Sequence, residues 1–234
     1  MKASLAAFCF LLVVSSISAQ NFNTMTGDWM RVKAEFQDGG KLPRNHDANF
    51  LQRYSFTKDQ VYLIAGNNTL PSKYTRTGGI LNIALIQTYV IEKYDNKTLT
   101  ILEGEGDASI RYYLIPLDSF TRSGMVRYNY TVSNADTIYT STVGIEPIYP
   151  KGTMILMNEL MKSLAVTNVG FEYTYVVKKD GTIGEIEILV SSDPKKNKRL
   201  IQAVKQSSGK WIPGTLRGKP IHVKLKEKFT LTNK

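Results

Sequence analysis

From residue 27 to about 117, apolar and polar positions alternate in short runs separated by Gly, Asn and Asp. Met30, Val32, Ala34 and Phe36 alternate with Arg31, Lys33 and Glu35, and further runs lie near 51–57, 61–64, 73–77, 80–84, 86–94, 98–103 and 110–117. A period of two sends successive side chains to opposite faces of a strand. The links are short, and Lys58-Asp59 and Asp95-Asn96-Lys97 suit hairpin turns. Eight strands, each pairing with its successor, predict a mainly β N-terminal up-and-down barrel, because closure removes the edges an open sheet would expose. Phe56, Tyr62, Tyr74 and Tyr89 are expected to point inward, which leaves open whether the barrel is hollow or filled.

The pattern changes at 118–145, where Ser, Thr, Asn and Tyr dominate around two β-like stretches, 125–132 and 137–143. This connector, over 119–145, can add a hairpin. From Glu146 onward the pattern predicts a small α+β domain. Met154, Met157, Leu160, Met161 and Leu164 recur at helical spacing after Gly152-Thr153. Strands at 171–177 and 182–191 flank the turn Lys178-Lys179-Asp180-Gly181. Asp193-Pro194 supplies an N-cap and a first-turn proline for a helix to about 206, with Leu200, Ile201 and Val204 on one face. A last strand runs from about 221 to 231, giving the order helix, strand, strand, helix, strand.

The first nineteen residues stand apart: Lys2, an apolar run over 5–14, then Ser15, Ser16, Ser18 and Ala19. They read as a signal peptide cut after Ala19, because the run falls short of the ~20 residues that span a bilayer; an uncleaved anchor is the alternative. The expectation is an exported, periplasmic or envelope-associated chain with no membrane span after cleavage. Its one cysteine, Cys9, lies in that segment, so the mature chain has no disulfide, zinc–cysteine or thiol chemistry. Only His46 and His222 are present, without partners at metal-ligand spacing, and both read as exposed.

Charge is unevenly distributed. Residues 146–234 carry 16 Lys+Arg and 8 Asp+Glu, against 13 and 12 in residues 20–145. Lys195, Lys196, Lys198 and Arg199 cluster at a helix start, and Lys219, Lys224, Lys226 and Lys228 lie along the last strand, where Val223 and Leu225 share the opposite face. Such a surface favours an anionic partner, or else is a solvated face that protects an edge strand. Nucleic acid is disfavoured by export and by the absence of aromatic interleaving. Glu103, Glu105 and Asp107 form the one carboxylate cluster, and their glycines mark a hairpin tip. With no Gly-x-Ser-x-Gly elbow and no Ser/His/Asp set, the expectation is a non-enzyme without catalytic residues, metal or cofactor.

Two resemblances refine this picture. Gly27-Asp28-Trp29, followed by Asp38-Gly39, is similar to the first-strand motif of the lipocalins and their bacterial relatives, over 24–118. That likeness implies that Trp29 closes one barrel end beneath an arginine, for which Arg111 is the candidate, and that a small apolar ligand could be carried. The second covers 146–234 and is more specific. Pro147-Ile148-Tyr149-Pro150-Lys151-Gly152, Asp180-Gly181 within the hairpin, Trp211-Ile212-Pro213-Gly214 and Gly218-Lys219-Pro220-Ile221 together resemble the TonB C-terminal domain family, in the variant of Bacteroidota envelope proteins. Read alone, Trp211, Pro213, Gly214 and Pro220 have structural roles. The resemblance implies binding of an outer-membrane receptor or other envelope protein by strand addition along Lys219, Ile221, Val223, Lys224, Leu225, Lys226, Lys228 and Phe229. The eight prolines are scattered, so the long Pro-rich spacer of the family's transducers is missing. An envelope scaffold binding anionic cell-wall polymer is the remaining possibility.

Overall fold

The computed structural model describes residues 25–84, 86–164 and 169–231. The segment read as a signal peptide lies outside them. Strands β1 (Gly27–Phe36), β2 (Gln52–Phe56), β3 (Gln60–Ala65), β4 (Asn68–Thr77), β5 (Ile80–Ile83), β6 (Gln87–Tyr94), β7 (Leu99–Glu103) and β8 (Ile110–Pro116) form a closed barrel. Every pairing is antiparallel between neighbours, and β1 closes on β8 from Trp29 opposite Pro116 to Phe36 opposite Ile110. A bulge between Arg31 and Lys33 shifts the register of β1, so the simple alternation of its side chains breaks there.

The barrel is filled by its own side chains. Trp29, Tyr54, Phe56, Leu63, Leu81, Tyr89, Ile101, Tyr112 and Leu114 belong to one buried cluster, with Tyr74 packed against it. Tyr62 differs from expectation. Together with Ile64 it faces outward and is buried under Ile148, so β3 is covered on both faces, as its unbroken apolar run Val61-Tyr62-Leu63-Ile64 allows.

The connector begins with a helix that the pattern did not predict, α1 (Leu117–Arg122), whose Leu117 and Phe120 pack on Met30. Then come β9 (Tyr130–Ser133) and β10 (Asp136–Thr140), joined through Asn134 and Ala135, both in the left-handed region at φ 49° and 66°. That turn geometry matches the twist of a two-residue hairpin.

The C-terminal part has α2 (Thr153–Leu164), β11 (Val169–Val177), β12 (Ile183–Ser191), α3 (Asn197–Lys205), a two-stranded ribbon of β13 (Thr215–Leu216) and β14 (Lys219–Pro220), and β15 (His222–Leu231). A short 3₁₀ turn at Pro194–Lys196 precedes α3, capped by Asp193, which accepts from the Lys195 amide. The expected helical face of α2 is rotated. Leu156, Leu160 and Leu164 are buried, whereas Met154 is 78% exposed. The sheet order is β12-β11-β15-β10-β9, so the connector hairpin belongs to the C-terminal sheet. Its helix-side core gathers Tyr149, Phe171, Tyr173, Tyr175, Leu200, Val204, Trp211 and Leu225.

Candidate partner-binding edge

β15 alternates as its sequence implies. Val223 and Leu225 are fully buried toward the helices, and Phe229 lies 5.5 Å from the Phe171 ring and 6.1 Å from that of Tyr173. Lys224, Lys226 and Lys228 occupy the opposite face by strand alternation. Two of these lysines meet carboxylates: Lys226 lies 2.6 Å from Glu172 on the adjacent β11, and Lys224 reaches across β11 to within 3.5 Å of Glu187 on β12. The Lys226 bond holds the Glu172 carboxyl below its ordinary range. The expected residue set is not continuous, because Lys219 belongs to the separate β13–β14 ribbon and Ile221 donates its amide to Gly214 before β15 begins.

The two sides of β15 differ. One is laddered antiparallel to β11 from Val223 to Leu231. The other pairs parallel with β10 at three positions only, Ile138 with His222, Tyr139 with Val223 and Thr140 with Lys224, extended by the Ser141 amide donating to the Lys224 carbonyl. No strand among the described residues pairs with this side beyond Lys224.

Asn67, in the β3–β4 turn, continues the contact. Its Nδ2 donates to the Lys226 carbonyl at 3.0 Å and to Glu227 Oε1 at 3.3 Å, while its Oδ1 accepts from Ser141 Oγ at 3.0 Å. Its own carbonyl accepts from Thr153 Oγ1 at the start of α2. Barrel, connector, helix and β15 therefore meet at one residue. Glu227 sits across from Tyr173 on the helix-facing side, and burial pushes its carboxyl up to about 7. Glu146 is similar: burial raises it to about 7 against the opposing Gly144 amide, which donates to its carboxylate. Arg53 locks this junction, donating to Asp28 at 2.9 Å and to the Glu146 carbonyl at 3.0 Å. Sequence reasoning missed Asn67, Arg53 and Glu146. Their only local signals are a turn asparagine after Gly66 and charges inside apolar surroundings.

The residues of the Trp-Ile-Pro-Gly run and of the Asp180-Gly181 turn build the scaffold beside this edge. Trp211 packs on Tyr149 and Tyr175 and donates from Nε1 to Ser207 Oγ at 3.1 Å. Gly181 has φ +79°, and a Cβ there would lie 2.3 Å from the Trp211 carbonyl oxygen. Asp180 Oδ1 accepts from the Thr182 amide and hydroxyl, and the hydroxyl bond leads in holding its carboxyl low. Pro213 and Gly214 carry the chain past Ile145, and Gly218, at φ +74°, turns the ribbon into Pro220.

Compared with protein-family models, curated proteins and solved structures, the chain matches none.

At the barrel ends, Gly27 adopts φ +124° and Trp29 is buried, but Arg111 does not cover it. Arg111 pairs with Glu35 near the far end of β1 and makes two bonds to Glu92, at 2.6 and 3.0 Å, plus one to the Gln37 carbonyl. Tyr94 takes the neighbouring place, its ring 5.8 Å from that of Trp29. The register explains the correction, since Trp29 faces Pro116 on β8, five residues beyond Arg111 in sequence. A cleft of about 630 Å³ opens at the other barrel end, lined by Arg31, Phe50, Gln52, Glu103 and Tyr112. Arg31 is held there by the carbonyls of Asp47 and Phe50, 5.0 Å from the Tyr112 ring, and Tyr112 donates to Glu103.

Of the remaining candidates, Gly106–Ala108 forms a 3₁₀ turn, consistent with a hairpin tip at Glu103–Asp107. His46 accepts from the Ala48 amide through Nδ1. His222 is not exposed as expected: its side chain is 13% accessible, with Nε2 3.5 Å from Asp136. Among the described residues no group of His, Cys, Asp and Glu is arranged to hold a metal, and no helix is long and apolar enough to cross a membrane.

Proposed function

We propose that the chain is a non-catalytic, exported envelope protein whose TonB-like C-terminal domain binds an outer-membrane receptor or transport partner by strand addition, in the context of TonB-dependent transmembrane transport. The observation that carries this reading is the outer side of β15 beyond Lys224, which no described strand pairs, on a strand fully laddered to β11 on its other side. By alternation the main-chain groups of Lys228 and Thr230 point the same way as the Lys224 and Lys226 carbonyls, and an added segment would gain backbone hydrogen bonds without needing a deep pocket. The helix, strand, strand, helix, strand order of α2, β11, β12, α3 and β15 agrees with the resemblance.

Carriage of a small apolar ligand has less support, because the barrel interior is occupied by tyrosine, phenylalanine and aliphatic side chains. Binding of an anionic wall polymer is weakened by the pairing of Lys224 and Lys226 with Glu187 and Glu172. The test is an in-cell crosslinking pull-down of the full chain from envelope fractions beside a Lys228→Pro variant, which lacks a donor on the open side and retains its β11 partner. Outer-membrane receptors recovered with the wild type and lost with the variant are expected. Equal recovery from both contradicts strand addition at β15.

A further inference from the structure

The first half of the β15 edge already holds a strand. β10 lies parallel to β15 at His222, Val223 and Lys224, with Tyr139 beside Val223 on the helix-facing side. Three features make this a loosely held occupant. The contact is parallel, the less stable pairing per residue, and covers three positions, whereas β11 pairs with nine. The hairpin's outer strand is wholly exposed, with Tyr130 60% and Val132 67% accessible and the Tyr130 ring 5.7 Å from that of Tyr139. The buried Nε2 of His222, at the same edge, has no hydrogen-bond partner and only Asp136 at 3.5 Å. The chain on the C-terminal side of the hairpin is anchored at Ile145, which is fully buried. A hairpin tethered beside its site at high local concentration, yet paired over few residues, can leave and return without unfolding the rest of the sheet.

We propose that the β9–β10 hairpin is a built-in occupant of the β15 edge, displaced by an extended partner segment that runs parallel to β15 and sets an aromatic side chain where Tyr139 sits. Continuing past Lys224, such a segment would displace the Asn67 side chain from the Lys226 carbonyl, exchange backbone bonds with Lys228 and Thr230, and bring carboxylates on its outer face to Lys228. This proposal rests on the receptor-binding reading, and it adds that the free protein is partly self-blocked.

The experiment uses the full mature chain, whose lack of cysteine allows one engineered disulfide, Thr140→Cys with Lys224→Cys, or Ile138→Cys with His222→Cys if the first does not close. Amide exchange is followed by NMR in the oxidised and reduced forms. In the reduced form the Ser141 amide is expected to exchange at least a hundredfold faster than the β11–β15 ladder amides, and oxidation to slow it at least tenfold. In-cell crosslinking to envelope receptors is expected to fall at least tenfold in the oxidised form. Ser141 exchanging as slowly as the ladder, or receptor capture equal in both forms, overturns the occupancy. A fast-opening hairpin with no receptor captured by either form supports the occupancy and overturns the receptor reading instead.

Discussion

Gly214 passes so close to Ile145 that a Cβ on the glycine would lie 2.1 Å from the Ile145 carbonyl oxygen and 2.7 Å from Val223 Cγ2. The Trp-Ile-Pro-Gly run is thus where the crossing chain, the connector and β15 converge, and the nearest obstacle is the Ile145 main chain rather than the end of a flexible side chain. Gly214→Ala is expected to destabilise the chain by about 2–4 kcal/mol, beyond the usual range for added methylene groups because the obstacle is main chain. Chemical denaturation checks this, with Gly209→Ala, which meets no neighbour but is strained at φ +77°, as a milder comparison.

The junction of barrel and C-terminal domain predicts a second contrast. Arg53 is 2% exposed and bonded to Asp28 and the Glu146 carbonyl, so Arg53→Met leaves a buried acceptor and a carboxylate without their partner. A loss of about 2–4 kcal/mol is expected. Arg111→Met removes a more exposed pair with Glu92 and is expected to cost about 1 kcal/mol or less.

Stability should also depend on pH through Glu146 and Glu227. Burial raises each to about 7 in the folded chain, above its unfolded value near 4.5. Between those values the folded state binds more protons at these two sites, so their contribution to stability is fully present below about 4.5 and is lost as pH rises through 7. The decline is on the order of 3 kcal/mol for each group. Denaturation midpoints at pH 5 and 8 measure it, and Glu146→Gln with Glu227→Gln should flatten the profile.

A filled barrel predicts that native mass spectrometry of the purified protein shows no retained apolar ligand. Trp29→Ala should cost about 3–5 kcal/mol through the cavity left beside Tyr94. A stoichiometric lipid-like adduct on the wild type would restore the carrier reading.

Much of the architecture is legible in local pattern. The eight barrel strands, the Asp193 cap and the alternation of β15 follow from period, turn residues and capping chemistry, all of which act over a few residues. What escaped depends on distant partners. Tyr62 looks like any other inward aromatic until Ile148 covers it from outside, and Met154 fits the helical stripe but faces solvent because α2 is turned onto Leu156, Leu160 and Leu164. The lipocalin likeness points to Arg111 as the arginine of the last strand, whereas the β1–β8 register decides what it meets. At the candidate edge the lysines were readable, but their glutamate partners lie on other strands, and Asn67 reaches Lys226 across 159 residues. Parallel pairing of β10 with β15 likewise leaves no trace in either segment by itself.

The most direct test of the central claim is site-specific photocrosslinking in cells, with the photoreactive residue placed at Lys228 on the open part of β15 or at Glu92 on the barrel surface. Strand addition predicts adducts with outer-membrane receptors from position 228 and none from position 92. Receptor adducts from position 92 alone, or from neither position, would contradict it.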